Sequence, residues 1–285
     1  MAKSPVFEDI KQRHAYGMKN STAAGRRQRK HKPEVMKGHN VIYGIHAVQA
    51  VLSNSNRDVY AVYLTRNAQS RLSKAIDWSK LNLVQIEPKY LDQRLGNGIV
   101  HQGAMVECSA LIEPRLQDFI TAAQTNNVPI VVLDHITDPH NFGAILRSCA
   151  VFGCAGVVTT RRRSPPLFGA VAKSASGALE HVPVALVQNL SRELTKLANN
   201  GVEIIGLEGT GSRRIESVLL RRPVAIVLGA EGHGLRESTK KACTFIASIY
   251  TQGLFSSLNV SNAAAVALHT HAMLHKGVST TLSVS

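Results

Sequence analysis

The chain has 285 residues, 44% of them hydrophobic, which is enough for two ordinary domains that each bury a core. No apolar run is long enough to cross a bilayer, and the N-terminus MAKSPVFEDIKQRHAYGMKN lacks the apolar core of a secretory signal, so a soluble, cytoplasmic protein is expected. Lys and Arg outnumber Asp and Glu by 33 to 19, and the resulting net charge of +14 favours a polyanionic partner.

Residues 1–40 carry much of this charge, with Arg26, Arg27 and Arg29 in the run GRRQRKHKPEVMKGHN. Such a composition builds no core and reads as a disordered arm when free. It fits a solubilising tail, an organellar transit peptide, or an arm that follows a phosphate backbone. The early acids Glu8 and Asp9 count against a transit peptide. A second basic cluster, Arg161, Arg162 and Arg163, favours the backbone-following arm.

In NVIYGIHAVQAVL, the residues Ile45, Val48, Val51 and Leu52 recur at helical spacing. The pattern then predicts a strand at DVYAVYLT, a helix at SRLSKAIDWSKL, a strand at LNLVQIE, a short helix at PKYLDQRL and a closing strand at GAMVECSAL. These elements form a compact α/β unit over residues 41–112. A linking helix over 113–127 leads to a second series, residues 128–277, with strands at IVVLDHI, GVVTT, HVPVALV, VEIIGLEG, PVAIVLGAE and TFIASIY. Buried strands separated by helical segments predict a mostly parallel sheet covered on both faces, with 278–285 left as a tail. The cysteines Cys108, Cys149, Cys154 and Cys243 form no CxxC pair and read as reduced, buried thiols.

Ligands of parallel α/β sheets gather beyond the carboxyl ends of the strands. Three such junctions are unusually polar or glycine-rich. In LDHITDPHNFGAILRSCAVFG, Asn141 reads structurally as a helix N-cap and Arg147 as a charge on the second turn. The apolar neighbours of Arg147 leave it little polar face, so a specific anion partner is expected. In VAIVLGAEGHGLRE, the glycines let the backbone approach a ligand closely, but the spacing is not that of a dinucleotide fingerprint. In GLFSSLNVSNAAAVALHTHAML, the residues Ser256, Ser257, Asn259 and Ser261 crowd the turn before an apolar helix. The triplet His269, His271 and His275 lacks a carboxylate and reads as solvated or partner-facing rather than as a metal site. Gly206, Gly209 and Gly211 in GLEGTGS read as a loop, and His101-Gln102-Gly103 as a structural junction.

Taken together, the three junctions resemble the ordered motifs of the SpoU (TrmH) family of RNA ribose 2′-O-methyltransferases. The first, N-x-G-x-x-x-R, is matched by Asn141, Gly143 and Arg147. The second, L-G-x-E-G-x-G, is matched by Leu228, Gly229, Glu231, Gly232 and Gly234, and the third, S-L-N-V-S, by residues 257–261. The resemblance spans about residues 41–275 and departs at Tyr250 and Thr251, where the family often has Pro-Met.

The resemblance implies an L30e-like substrate-binding unit ahead of a SPOUT-type α/β domain with a C-terminal trefoil knot. It further implies S-adenosylmethionine held against Leu228, Gly229, Ile249, Gly253 and Leu258, with Arg147, Asn141, Glu231, Ser257 and Asn259 as catalytic residues. Arg161, Arg162 and Arg163 join Arg26, Arg27 and Arg29 as expected RNA contacts. A homodimer acting on a guanosine of large-subunit ribosomal RNA without a metal is the implied assembly. A transfer-RNA ribose methyltransferase and a non-catalytic ribosome-assembly factor are the alternatives.

Overall fold

The computed structural model describes residues 39–72, 76–219, 223–253 and 257–275. The basic arm with Arg26, Arg27 and Arg29, the tail 278–285, and Ser256 of the polar turn lie outside these residues.

Asn40–Tyr43 is a strand, β1, which the helical spacing of Ile45, Val48, Val51 and Leu52 in NVIYGIHAVQAVL does not announce. The β-formers Val41, Ile42 and Tyr43 precede Gly44, whose φ of 94° ends the strand, and helix α1 begins only at Ile45 and runs Ile45–Ser53. Strand β2 (Val59–Leu64) leads into α2 (Arg66–Arg71), which lies upstream of the helix expected at SRLSKAIDWSKL. Thr65 caps α2 by accepting from the Ala68 N–H, and Asp77 accepts from the Ser79 N–H to start a 3₁₀ turn at Trp78–Lys80. Such local side-chain bonds compete with a continuous helix. After β3 (Leu83–Gln85), α3 (Pro88–Leu95) and β4 (Ala104–Cys108), the sheet is ordered β1-β4-β2-β3. β4 runs antiparallel to β1 and β2.

Helix α4 (Leu116–Asn126) follows, and the second sheet contains β5 (Ile130–Asp134), β6 (Gly156–Thr160), β7 (Val184–Val187), β8 (Glu203–Leu207), β9 (Arg213–Arg214), β10 (Val224–Gly229) and β11 (Phe245–Ser248). Its order is β7-β6-β5-β10-β8-β11-β9, and every pairing is parallel. Alternate residues serve opposite faces: Val131 and Leu133 join one core, Ile130 and Val132 the other. Both faces are therefore buried, which is why these strands read as unbroken apolar runs. Helices α4 and α7 (Leu190–Asn199) cover one face through Phe119, Leu194 and Leu197. Against the other lie α5 (Pro139–Phe152), α6 (Ala170–Ala175), α8 (Ile215–Val218) and α10 (Val260–Leu274), while α9 (Glu237–Lys240) follows the second glycine-rich junction.

That second core is continuous with the core of the first sheet, from Ile42, Val62 and Val106 through Ala172 and Leu179 to Leu133 and Ile226. A buried ion pair reinforces the join. Arg57, between α1 and β2, reaches Glu180 with Nη2 to Oε1 at 2.8 Å and Nε to Oε2 at 2.9 Å, and Asn54 donates to the same carboxylate at 2.8 Å. Gln102 accepts from the Ile45 N–H and from Lys173 of α6, so the HQG turn bridges the two sheets.

The histidines correct one expectation. His271 is buried and meets the His275 ring edge-on at 4.4 Å, against the solvated reading, whereas His269 is exposed and sets its ring edge-on to Phe152. Burial pushes the Cys108 thiol up to about 11 and Cys243 to about 12, which leaves both unreactive at neutral pH. No described helix is long and apolar enough to cross a membrane.

Candidate active site

The chain passes from β5 to β6 and β7 on one side of the sheet, then crosses to β8 on the other, so β5 and β10 flank a switch point. A crevice opens beyond such a point. Three polar junctions meet there, each shaped by its own local sequence.

Asp138, not Asn141, caps α5: its carboxylate accepts from the His140 and Asn141 N–H groups, and Pro139 takes the first helical position. Asn141 is thereby freed to point outward. Gly143 is required by packing, because a Cβ there would sit 2.5 Å from the Ser174 Cβ of α6. Arg147 falls on the third turn rather than the second, since α5 begins two residues before Asn141. It is exposed and pairs with no carboxylate among the described residues.

At the end of β10 the chain folds back on itself, with Ala230 and Gly234 exchanging backbone hydrogen bonds at 3.1 and 2.9 Å. A Cβ on Gly229 would stand 2.3 Å from the Gly234 carbonyl carbon, so no larger residue fits. The fold-back lifts Glu231 toward Asn141. Asn259 caps α10 by accepting from the Ser261 N–H at 2.9 Å, and so presents its own amide to both.

The result is a closed polar triad. Asn259 Nδ2 donates to Glu231 Oε1 at 2.6 Å and to Asn141 Oδ1 at 3.0 Å, and Asn141 Nδ2 donates to Glu231 Oε1 at 3.1 Å. Among the described residues, Glu231 Oε2 and one hydrogen of Asn141 Nδ2 have no partner. Both remain available to a hydroxyl.

Beside the triad lies a cavity of about 450 Å³. Leu228, Gly229, Ile249 and Leu258, four of the five residues expected at the cofactor, line it together with Ser257, whereas the fifth, Gly253, is exposed and does not. Glu208, Gly209 and Thr210 of GLEGTGS also line it, so that segment is more than the loop its glycines suggested. Glu208 is fixed there by Lys240 at 2.8 Å and by the Leu235 N–H. The signal for it was a glycine-rich strand exit of the same kind as the one after β10.

The basic residues divide. Arg161 is engaged with both oxygens of Glu113 at 2.6 and 2.8 Å, while Arg162 and Arg163 are exposed without an ion pair among the described residues. Asp134, which the sequence did not single out, is fully buried at the end of β5 and accepts from the Arg236 N–H at 3.1 Å and Nε at 2.7 Å. Among the described residues no group of three or more His, Cys, Asp or Glu side chains is placed to hold a metal.

A glycine-walled cavity at the switch point of a parallel α/β sheet, with a triad built from three strand exits beside it, forms a site suited to binding a ligand. Residues 129–269 match the SpoU rRNA Methylase family, and residues 41–114 match the family described as RNA 2'-O ribose methyltransferase substrate binding. The chain is 35% identical over 240 residues to the 23S rRNA (guanosine-2'-O-)-methyltransferase RlmB of Shewanella oneidensis, covering 82% of this chain and 96% of the relative. With the protein of the same description from Vibrio cholerae the identity is 37%, over 80% and 94%. The fold is that of the SpoU methyltransferase AviRb from Streptomyces viridochromogenes in complex with AdoMet, at a TM-score of 0.68 and 18% identity over 83% of this chain and 90% of that one. The chain belongs to the SpoU rRNA methylase family.

Proposed function

We propose that the protein transfers a methyl group from S-adenosylmethionine to the ribose 2′-hydroxyl of a guanosine in large-subunit ribosomal RNA. The observation that carries this reading is the Asn141–Glu231–Asn259 triad, which unites all three family motifs at the rim of one cavity. The reaction named for relatives of 35 to 37% identity supports the guanosine and the 23S-type substrate.

The cavity suits the cofactor. Its aliphatic walls from Leu207, Leu228, Ile249 and Leu258 fit a flat base, and the close-packed backbone of 229–234 offers main-chain partners for polar edges. Among the described residues its lining includes the carboxylates of Glu208 and Glu231 and no Lys or Arg, which favours a cationic sulfonium. When bound, that sulfonium supplies an electrophilic methyl.

The 2′-hydroxyl is a poor nucleophile until aligned and relieved of its proton. Glu231 Oε2 is placed to accept from a sugar hydroxyl, and the spare Asn141 amide hydrogen is placed to hold its oxygen. A guanidinium is a poor proton acceptor, so Arg147 grips the adjacent phosphate and stabilises developing charge rather than taking the proton. Ser257 contacts the ribose or the cofactor wall. Arg162 and Arg163, with Arg26, Arg27 and Arg29 of the basic arm, follow the RNA backbone.

On the same reading, residues 41–112 form an L30e-like substrate-binding domain joined through 113–127 to a knotted methyltransferase domain, 128–277. Convergence of residues 228–234, 249–251 and 257–263 on one cavity supports the knot. The protein is a cytoplasmic homodimer: α10 exposes Val266 and Met273, and neighbouring Val151 of α5 is 75% exposed, an apolar surface suited to a second copy. An active monomer in sedimentation would refute the dimer. For the reaction, the test is ribose-methylation mapping of total RNA with and without the gene. A guanosine mark lost from large-subunit RNA and restored by the wild-type chain but not by Arg147→Ala is expected. A mark lost only from transfer RNA would move the substrate, and no lost mark would overturn the reading.

A further inference from the structure

The strand exits on the β6 side of the switch point hold Arg236 and His135, to which the reading above gives no role, beside Arg163, which it sets on the RNA backbone. Arg236 is bound through Nε and its backbone N–H to the buried Asp134, which fixes the guanidinium plane. Its terminal nitrogens have no partner among the described residues. His135 comes next in the chain after Asp134. Arg163 lies one strand away, because Leu133 pairs with Thr159. The loop that carries it is pinned by Thr159 Oγ1 to Ser164 Oγ at 2.7 Å and by Thr160 Oγ1 donating to the Arg162 carbonyl at 2.6 Å.

Two features mark this group as more than a solvated surface. His135 and Arg163 hold φ values of 61° and 67°, a region costly for large side chains. Unlike Asn127 and Ser176, which end helices in the same conformation, neither serves as a helix cap. The nearby acids are also occupied. Asp134 is taken by Arg236, Asp138 by the start of α5, and Glu113 by Arg161, while Glu237 points to Lys240 at 3.6 Å. Positive charge is left unbalanced, and burial together with Arg236 and Arg163 holds His135 below its usual value. A bound phosphate would relieve that field.

We propose that Arg236, His135 and Arg163 form a phosphate-binding shelf that grips the RNA backbone on the side of the triad opposite the cofactor cavity. The inference rests on the RNA-methyltransferase reading for its ligand, yet its test does not require the methylated nucleotide. The strand order places the shelf over β6 and β5, the triad over β5 and β10, and the cavity over β10, β8 and β11. Substrate and cofactor thus approach one reaction point from opposite directions. Arg236 offers two fixed donors, the geometry that suits a phosphate best.

The experiment measures binding of the full-length protein to a labelled single-stranded RNA across a salt series, because phosphate contacts are indifferent to sequence. Arg163→Gln and Arg236→Gln should each weaken binding and lower the log-log salt slope by about 0.7, the value for one contact on a single strand. Cofactor affinity should stay unchanged. Arg236→Gln deprives buried Asp134 of its partner, so thermal melts accompany it. Arg163→Gln removes no pairing and keeps the test open if the other variant unfolds. A wild-type slope in folded variants of a protein that does methylate ribosomal RNA would overturn the shelf. A lowered slope in a protein that methylates none would support the shelf and overturn the assigned reaction.

Discussion

The sharpest consequence for stability lies in the Arg57–Glu180 pair, whose side chains are 0% and 2% exposed. Glu180→Gln keeps the volume but leaves the Arg57 guanidinium buried, with the Ser109 carbonyl and a neutral amide as its remaining partners. Breaking a buried pair from one side costs about 3–5 kcal/mol, and the retained amide oxygen favours the lower end. For a domain of this size a loss of about 3 kcal/mol lowers Tm by roughly 6 to 12 °C. The sole tryptophan, Trp78, packs against the core of the first sheet, so its fluorescence reports that sheet while circular dichroism reports the whole. Because one apolar core joins the two sheets, the two signals should fall together in both proteins. Replacing both members, Arg57→Met with Glu180→Leu, should recover most of the loss, since no buried charge then remains. A Tm shift below about 2 °C in Glu180→Gln would mean that water reaches the pair, and the argument from burial would fail.

Three further outcomes follow from the site. Arg147→Ala should lower turnover by about 10²–10³-fold while cofactor affinity measured by calorimetry is unchanged; near-normal turnover would remove Arg147 from the reaction. Gly229→Ala places a Cβ 2.3 Å from the Gly234 backbone, and about 1–3 kcal/mol of overpacking strain should cost roughly tenfold or more in cofactor affinity, with equal affinity refuting the close-packed wall. His135 has a folded-state pKa below the value of about 6.5 it takes when unfolded, so between the two the unfolded chain binds more protons and stability is lost as pH falls. His135→Asn, which tolerates the same backbone, should therefore melt with a weaker dependence between pH 7.5 and 5.5; an unchanged dependence would clear His135 of the effect.

The second sheet was legible because strands buried on both faces need apolar residues at every position, and runs such as IVVLD and VAIVLG allow little else. The first sheet was harder. Its strand β1 is four residues long and abuts a helix, so the helical spacing of Ile45, Val48 and Val51 seemed to absorb it until Gly44 is seen to turn the chain. The misplaced helix near Trp78 has a similar cause, since Thr65 and Asp77 make short-range bonds that no hydrophobic period records.

At the site, polar and glycine-rich strand exits could be picked out one at a time, but their meeting could not. Asn141 lies 90 residues from Glu231 and 118 from Asn259, and only the parallel order of β5 and β10 brings them within hydrogen-bond reach. Asp134 reads as one more strand residue until Arg236, 102 positions on, is found across it. The reason for Gly143 is likewise invisible in its own segment, because the obstacle is Ser174. The same separation has an energetic consequence. A cavity walled by residues drawn from the segments 207–210, 228–234, 249–251 and 257–263 does not exist in the unfolded chain, so a ligand bridging those segments stabilises the native state by RT ln(1 + [L]/Kd). Any substitution that loosens one of the four segments then weakens ligand binding and folding together, and the glycines that make the walls close enough to bind are the residues through which that coupling passes.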